Sequence, residues 1–569
     1  SVYDAAGVPQ GLRDWLERFV PADLDLRLDA PSGEGGQELA ITGTTGAASV
    51  KVKARLGLGL LRSPGGPMNV QIDLAGEDAT ALTEQLGLGD ASLLPPDKPM
   101  RVIAIIDGTA ANSFETTVRI EGGGESLGFA GNLIAGDLRD VSGNGTLRAT
   151  LSDLSALTAV LGAEGVWLPA INGSARVDFD GLDSIGISDI SATSGGQPFT
   201  GDLQWTKTGE AGSVSGEISA GELDPTGLLS LLAGPAATLS SGLGYWPDGP
   251  AAIGAAPRGT SGRVRVTTPA ILVGGAPVAT DAAFDFTWDE TTIRLRDVSA
   301  AAGGGRVTGE VGICCAGPLA EKQITGRLAL DDVDFASLVP SSIGTAITAK
   351  VDAGGKFEGT GDGLLAALAA MTGEGSYTLR GVTIQGFDPA VFNAVTSLDD
   401  VLNLPPEAVT ALVADRLDDG SFTAESVSGS FTIAGGVFRS PNLALEGVGA
   451  RLFGDTSVRL ADLGLSGGFA MSPTVPAGPD GMLTEANAAV SASFAGTVPA
   501  PERTFDVAGM VDTIMFNAYE MEVARLEQLR AEDEARQRAA AQERARMAAE
   551  VAARRAAEEE ARRAAEEQA

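Results

Sequence analysis

The pentapeptide Gly124-Glu125-Ser126-Leu127-Gly128 has the spacing of a nucleophile elbow, where a serine attacks a carbonyl after a histidine takes its proton. The chain has no histidine in 569 residues. That removes the usual base for Ser126 and the commonest metal ligand, so the flanking glycines read as a hairpin turn. Paired acids at Asp331-Asp332 and Asp399-Asp400 are the residue types of a two-carboxylate glycan hydrolase. With 75 acidic residues, however, such pairs arise by chance and read as solvated turns. Five tryptophans and four tyrosines are also few for the aromatic platforms of a sugar cleft. Cys314 and Cys315 are the two cysteines. A bond between neighbours is strained and two thiolates do not close a zinc site, so both read as small buried apolar residues, with no disulfide framework. No Walker A loop occurs, nor a G-x-G-x-x-G between strand and helix. The chain therefore reads as no enzyme, with no catalytic residues, cofactor or metal.

Any site must then be built from apolar surface, and the elements that present it are strands. Glycine contributes 76 residues, about 13% of the chain where about 7% is usual, and it reaches the positive φ of hairpin turns. Short alternations such as Arg263-Val264-Arg265-Val266, Phe284 to Trp288, Ile293 to Arg296 and Phe431-Thr432-Ile433 put apolar and polar groups on opposite faces. From about residue 38 to 505 this pattern recurs, predicting many short strands in several domains or one elongated body. Five aspartates each precede apolar residues at helical spacing: Asp78, Asp153, Asp224, Asp334 and Asp388. They read as helix caps, with Pro225 and Pro389 at first-turn positions.

After Gly509 neither glycine nor proline occurs, and Ala, Glu and Arg dominate. Pairs such as Glu534 and Arg538, or Glu550 and Arg554, have the acid first at i,i+4, which favours one continuous helix over 510–569. Val511, Ile514, Met515, Leu526 and Leu529 are expected to dock its start, with a solvated rod or weak coiled coil beyond. The balance of 40 basic to 75 acidic residues gives a net charge of −35, which excludes nucleic acid and repels anionic headgroups over most of the surface. The most apolar stretch, Leu228 to Trp246, is interrupted by Gly234, Pro235, Ser240, Ser241, Gly242 and Gly244, so no segment is expected to span a bilayer.

The stretch Met371-Thr-Gly-Glu-Gly-Ser-Tyr-Thr-Leu-Arg-Gly-Val-Thr-Ile-Gln-Gly-Phe-Asp388 resembles the repeated unit of the AsmA family's C-terminal region, a glycine-bounded strand followed by G-x-I-x-G-x-D and a short helix. Gly429 to Val437, Leu443-Ala-Leu445, Phe453-Gly454 and Val458-Arg-Leu460 fit the next segment. Phe494 to Val507, running into a helix with Arg525-Leu526-Glu527, is similar to alphaproteobacterial members of the family. Trp246-Pro-Asp-Gly-Pro250 resembles a fourth segment, although Ala251 to Pro257 replaces its usual strand. The match is close over about 246–530 and looser over 1–245.

The resemblance implies a periplasmic protein related to TamB-like bridge-type lipid transfer proteins. It would be tethered to the inner membrane by a segment outside this sequence, bind phospholipid or another envelope lipid, and support outer-membrane biogenesis. The implied fold is mainly β, an elongated, curled, largely antiparallel sheet with short capping helices and a long C-terminal α-helix. Its parts are 1–245, the N-terminal portion of the β body; 246–509, the AsmA-like C-terminal β domain; and 510–569, the charged helix, a possible handle for an envelope protein partner. A lipid groove would be lined by Tyr377, Leu379, Ile384, Phe431, Ile433, Leu443, Leu445, Val458, Leu460, Phe469 and Met471. The same alternation fits a closed sandwich. A cargo-free structural or adhesive envelope spacer and a carboxylate-dependent glycan hydrolase are the rival functions.

Overall fold

A computed structural model describes residues 17–30, 36–59, 66–86, 94–95, 97–109, 112–135, 141–152, 170–181, 183–208, 211–242, 244–250, 260–314, 323–394, 401–478 and 481–568. The alternating segments form strands β1 (Ala22–Asp29), β2 (Gln37–Thr45), β3 (Ala48–Leu56) and β4 (Met68–Gly76). After helix α1 (Ala79–Leu86) come β5 (Met100–Gly108), β6 (Phe114–Gly122), β7 (Glu125–Ala135) and β8 (Val141–Leu151). Then follow β9 (Ile171–Asp180), β10 (Ser184–Ser194), β11 (Gln197–Thr208) and β12 (Ala211–Ala220). Helix α2 (Pro225–Ala233) leads to β13 (Thr260–Val273), β14 (Ala276–Trp288), β15 (Ile293–Ala302) and β16 (Gly305–Cys314). Next are β17 (Gln323–Asp334), β18 (Ile347–Thr360) and β19 (Thr372–Gln385), then α3 (Pro406–Asp418) and β20 (Ser421–Ala434). Last come β21 (Val437–Glu446), β22 (Ala450–Arg459), β23 (Gly464–Pro473), β24 (Val490–Thr497), β25 (Ala500–Asp506) and α4 (Ala508–Glu566).

All 25 strands among the described residues belong to one open sheet. Each strand pairs with its sequence neighbours, antiparallel throughout except for β12 and β13, which are parallel. The boundary at 245/246 lies inside that parallel crossover, and the sheet continues across it.

Turn chemistry explains the meander. Twin glycines at Gly195-Gly196 and Gly274-Gly275 both have positive φ, the conformation a two-residue hairpin turn requires. Glycine also has a second role within strands. A Cβ on Gly262 would lie 2.1 Å from the Trp288 ring, and one on Gly326 would lie 2.2 Å from Phe357, so aromatic rings lie directly on neighbouring glycines.

A bending device accompanies these turns. Asp189, Asp281, Asp297, Asp332 and Asn442 have φ of 50°, 49°, 49°, 53° and 56°. Each sits at a register break, in β10, β14, β15, β17 and β21 respectively. Asp and Asn tolerate this left-handed conformation, and a bulge raises the local twist and bends its strand.

The sheet folds back once. β20 and β21 pair only across Thr432–Ala434 and Val437–Arg439, after which they part. Leu443, Leu452, Met471 and Val490 then share one core with Val382, Phe422 and Val427 of the preceding strands. Val391 and Phe392, Val409 and Val413 of α3, and Met510, Val511 and Ile514 of α4 complete that core. Smaller cores form under α1, around Leu82, Val50 and Met100, and under α2, around Ala233, Phe286 and Ile293.

The caps follow the sequence in part. Asp78 accepts from the Thr80 amide at 2.8 Å, Asp388 from the Ala390 amide at 2.9 Å, and Asp224 from the Gly227 amide. Asp334 is different: its side chain makes no capping bond and pairs with Lys350 at 2.9 Å. Asp153 lies outside the described residues. Helix α4 is continuous, but Leu526 and Leu529 are 46% and 45% exposed. This corrects the expected docking: Val511, Ile514 and Met515 pack on the sheet, and the helix has left it before Leu526.

Candidate functional site

The residues with chemical potential are placed structurally. Ser126 lies within β7, paired with Glu121 and Thr150 between two strands, with no helix after it. Asp331 and Asp332 are not in a turn but at the β17 bulge, where Arg380 donates to Asp332 at 2.8 Å. Cys314 is half-buried at the end of β16, and its sulfur is in a disulfide rather than free. Cys315, Asp399 and Asp400 lie outside the described residues. Among the described residues no group of three or more His, Cys, Asp or Glu is placed to hold a metal ion.

Among the described residues the most deeply placed ion pair is on the outer face. The Asp285 side chain is 4% exposed and accepts from Arg263 Nε at 2.9 Å and Arg265 Nη1 at 3.0 Å. Burial by itself would raise this carboxyl's pKa; the hydrogen bonds from Arg265 and Arg263 outweigh it and hold the group below the usual carboxylate value. The arrangement ties β13 to β14 and presents no reactive group.

The inner face is the feature that could bind something. Strand register carries its inward positions from Leu24, Leu26 and Leu28 of β1 through Ile41, Val52, Ile72 and Ala104, and on to Val118, Phe129, Leu147, Val177 and Ile187. After β12 it passes Val264, Phe286 and Leu295, then Val311, Gly326, Phe357, Gly373 and Ile433. At inward positions from β1 to β20, charged side chains occur at Glu125 and Lys207, both at hairpin ends. Charges elsewhere point outward, as with Lys51, Arg101, Arg119, Arg176 and Glu217.

Coverage of this face varies along the sheet. Val118, Phe129, Leu147, Val177, Phe179 and Ile187 are half-buried, and among the described residues no second sheet lies above them. Near the first edge, Leu26 is 66% exposed. An apolar depression of about 650 Å³, lined in part by Phe199, Ala220, Thr268 and Ala282, lies where the crossover leaves β12.

The residues expected to line a groove divide into three groups. Leu443, Leu445 and Met471 are buried in the folded-back core, which corrects their assignment to an open face: α3, α4 and the facing strands already fill that space. Tyr377, Leu379, Ile384 and Phe469 are half-buried and pack against the same core. The Tyr377 hydroxyl lies 2.5 Å from Ser440 Oγ; burial pushes its pKa up and this hydrogen bond partly offsets the effect. Phe431, Ile433, Val458 and Leu460 are half-buried, with Phe431 stacked on Phe438 at 5.0 Å and the Leu460 carbonyl accepting from Trp246 Nε1 at 2.7 Å.

The expected set did not include the inner face of β2 to β11. Its signal was present in the sequence as charge-free alternate positions, for example Val118, Ile120, Leu127 and Phe129. Among the described residues no helix is long and apolar enough to cross a membrane. No family model, no curated protein and no solved structure matches the chain.

Proposed function

We propose that this chain is a non-enzymatic, AsmA-like periplasmic protein that binds phospholipid or another envelope lipid along its apolar inner face. It passes lipid between membranes in support of outer-membrane biogenesis, tethered to the inner membrane by a segment outside this sequence. The observation that carries the reading is the nearly charge-free inner face of β1 to β20, much of it half-buried over β6 to β11, where no second sheet lies on it among the described residues. An ordinary sandwich would cover that face with protein. Here acyl chains can cover it, each buried CH₂ contributing about 0.8 kcal/mol. The outward charges keep the body soluble while the inner face holds the cargo.

A second reading, a cargo-free spacer assembled through its helix, is favoured by α4, where Phe516 and Tyr519 are each 63% exposed. In the lipid reading the same helix is a handle for an envelope protein.

The test is mass spectrometry of an organic extract of the full chain, made in a bacterial periplasm and purified without detergent beside a similarly acidic β protein. The lipid reading expects near-stoichiometric phospholipid, lost in a folded Phe129→Asp, Val177→Asp double variant. A folded wild type carrying no more lipid than the control, and taking none from liposomes, would leave the spacer.

A further inference from the structure

The inner face is covered near its middle by the chain's own crossover. Because β12 and β13 are parallel, their connection must travel back along the strand length before β13 begins. From Pro225 to Pro247 that connection contains no charged side chain. It crosses on the inner side, where α2 packs on the face: Ala233 and Ala237 join Phe284, Phe286, Trp288 and Ile293 in one core, flanked by Leu228 and Leu229. Phe286 is 4% exposed and Ile293 0%, whereas Leu328 on β17 is 41% exposed.

The crossover is fixed at both ends. The Leu223 amide donates to Ala270 at 3.0 Å and its carbonyl accepts from Leu272 at 2.7 Å. On the far side Trp246 donates to the Leu460 carbonyl, and Pro250 bridges to Gly363. The apolar strip therefore runs beneath a strap anchored to β13 at one end and to the loops after β18 and β22 at the other.

We propose that α2 is an intrachain occupant of the groove, standing where an acyl chain would otherwise lie and dividing the inner face into two lipid compartments. One is formed by β6 to β11, beyond the patch of β3 to β5 that α1 covers, the other by the inward positions of β17 to β20 outside the folded-back core. The proposal rests on the lipid-binding reading and adds that chains enter each compartment without passing beneath α2. The helix suits this role because its surface is apolar and uncharged, matching the face it covers.

Two measurements on the full chain test it. In the lipid-free protein, hydroxyl-radical footprinting should oxidise Phe129 and Phe179 at least several-fold faster than Phe286 and Trp288. Equal rates would overturn the partition whether or not lipid binds. Separately, a photoreactive side chain placed in turn at Val177, Leu328 and Phe286 is exposed to phosphatidylglycerol–phosphatidylethanolamine vesicles. The expected result is lipid adducts at 177 and 328, with at least ten-fold fewer at 286, and a gain at 286 when Leu228→Ser and Leu229→Ser loosen the helix. Adducts at 286 equal to those at 177 in the unaltered helix would overturn the partition. Adducts at none of the three would remove the lipid reading on which it rests, leaving the footprint to report α2 as structural cover.

Discussion

Strands β6 to β9 and β21 to β24 have the same sequence pattern but different surroundings. In the first group Val118, Phe129, Leu147 and Val177 are half-buried, with no second sheet over them among the described residues. In the second, Leu452, Met471 and Val490 are between 0% and 1% exposed, because the sheet has folded back and α3 and α4 fill the interior. Alternation sets which face is apolar; the return of the chain determines whether that face is covered. The β20–β21 parting makes the difference.

The largest effect should come from truncating equivalent leucines in the two groups. Leu452→Ala in the folded-back core should lose about 2–5 kcal/mol, the range for a buried leucine. Leu147→Ala on the open layer should lose about 1 kcal/mol, since little of its contact is with protein. Denaturant unfolding of both variants checks this, and equal losses would break the comparison. A smaller effect is expected where rings lie on glycines: Gly262→Ala forces a methyl into the Trp288 ring and should lose about 1–3 kcal/mol, read as a lowered unfolding midpoint.

Acid should act next. Asp285 has a folded pKa below its unfolded value of about 3.9. Its stabilising contribution is therefore complete above about pH 4 and is lost as pH falls through the lower, folded value. Asp285→Asn should cost about 1–2 kcal/mol at pH 7, a value reduced because Arg263 is largely solvated. It should also remove that part of the acid dependence, which unfolding at pH 7 and pH 3 measures. The smallest effect should follow removal of residues 531–569, which are solvated where described. The melting temperature of the sheet should stay within the shift given by about 0.5 kcal/mol.

Much of this architecture was legible in the residues. Period-2 alternation marked strands such as Phe284 to Trp288, and Asp78, Asp224 and Asp388 marked helix starts through local hydrogen bonds. The run after Gly509 marked α4. Contacts between distant residues were hidden: nothing near Trp246 indicates Leu460, and Met471 looks like any inward residue until α4 lies over it. Three of the expected lining residues, Leu443, Leu445 and Met471, fall in the covered core for that reason, while Phe431, Ile433, Val458 and Leu460 stay half-buried. Leu526 and Leu529 were likewise read as docking residues, because apolar type alone does not show where a helix leaves the sheet. A subtler signal was readable. At Ile187 and Ile190, Leu295 and Val298, and Leu330 and Val333, the inward apolar period slips from two to three around an aspartate, and each slip is a bulge.

The order of strand pairing also bears on how such a chain is made. Each strand joins the one just before it, so at most steps the growing sheet has its next partner a turn or a short loop away, and the ends brought together are close in sequence. The chain can zip up from its beginning as it emerges from a ribosome or a translocation pore, without waiting for its last residues. Inserting or deleting a whole hairpin would alter reach by about 10 Å while leaving other pairings intact. The parallel β12–β13 step and the β19–β20 connection that carries α3 are long excursions, which makes them the natural places to look for a slow phase in refolding.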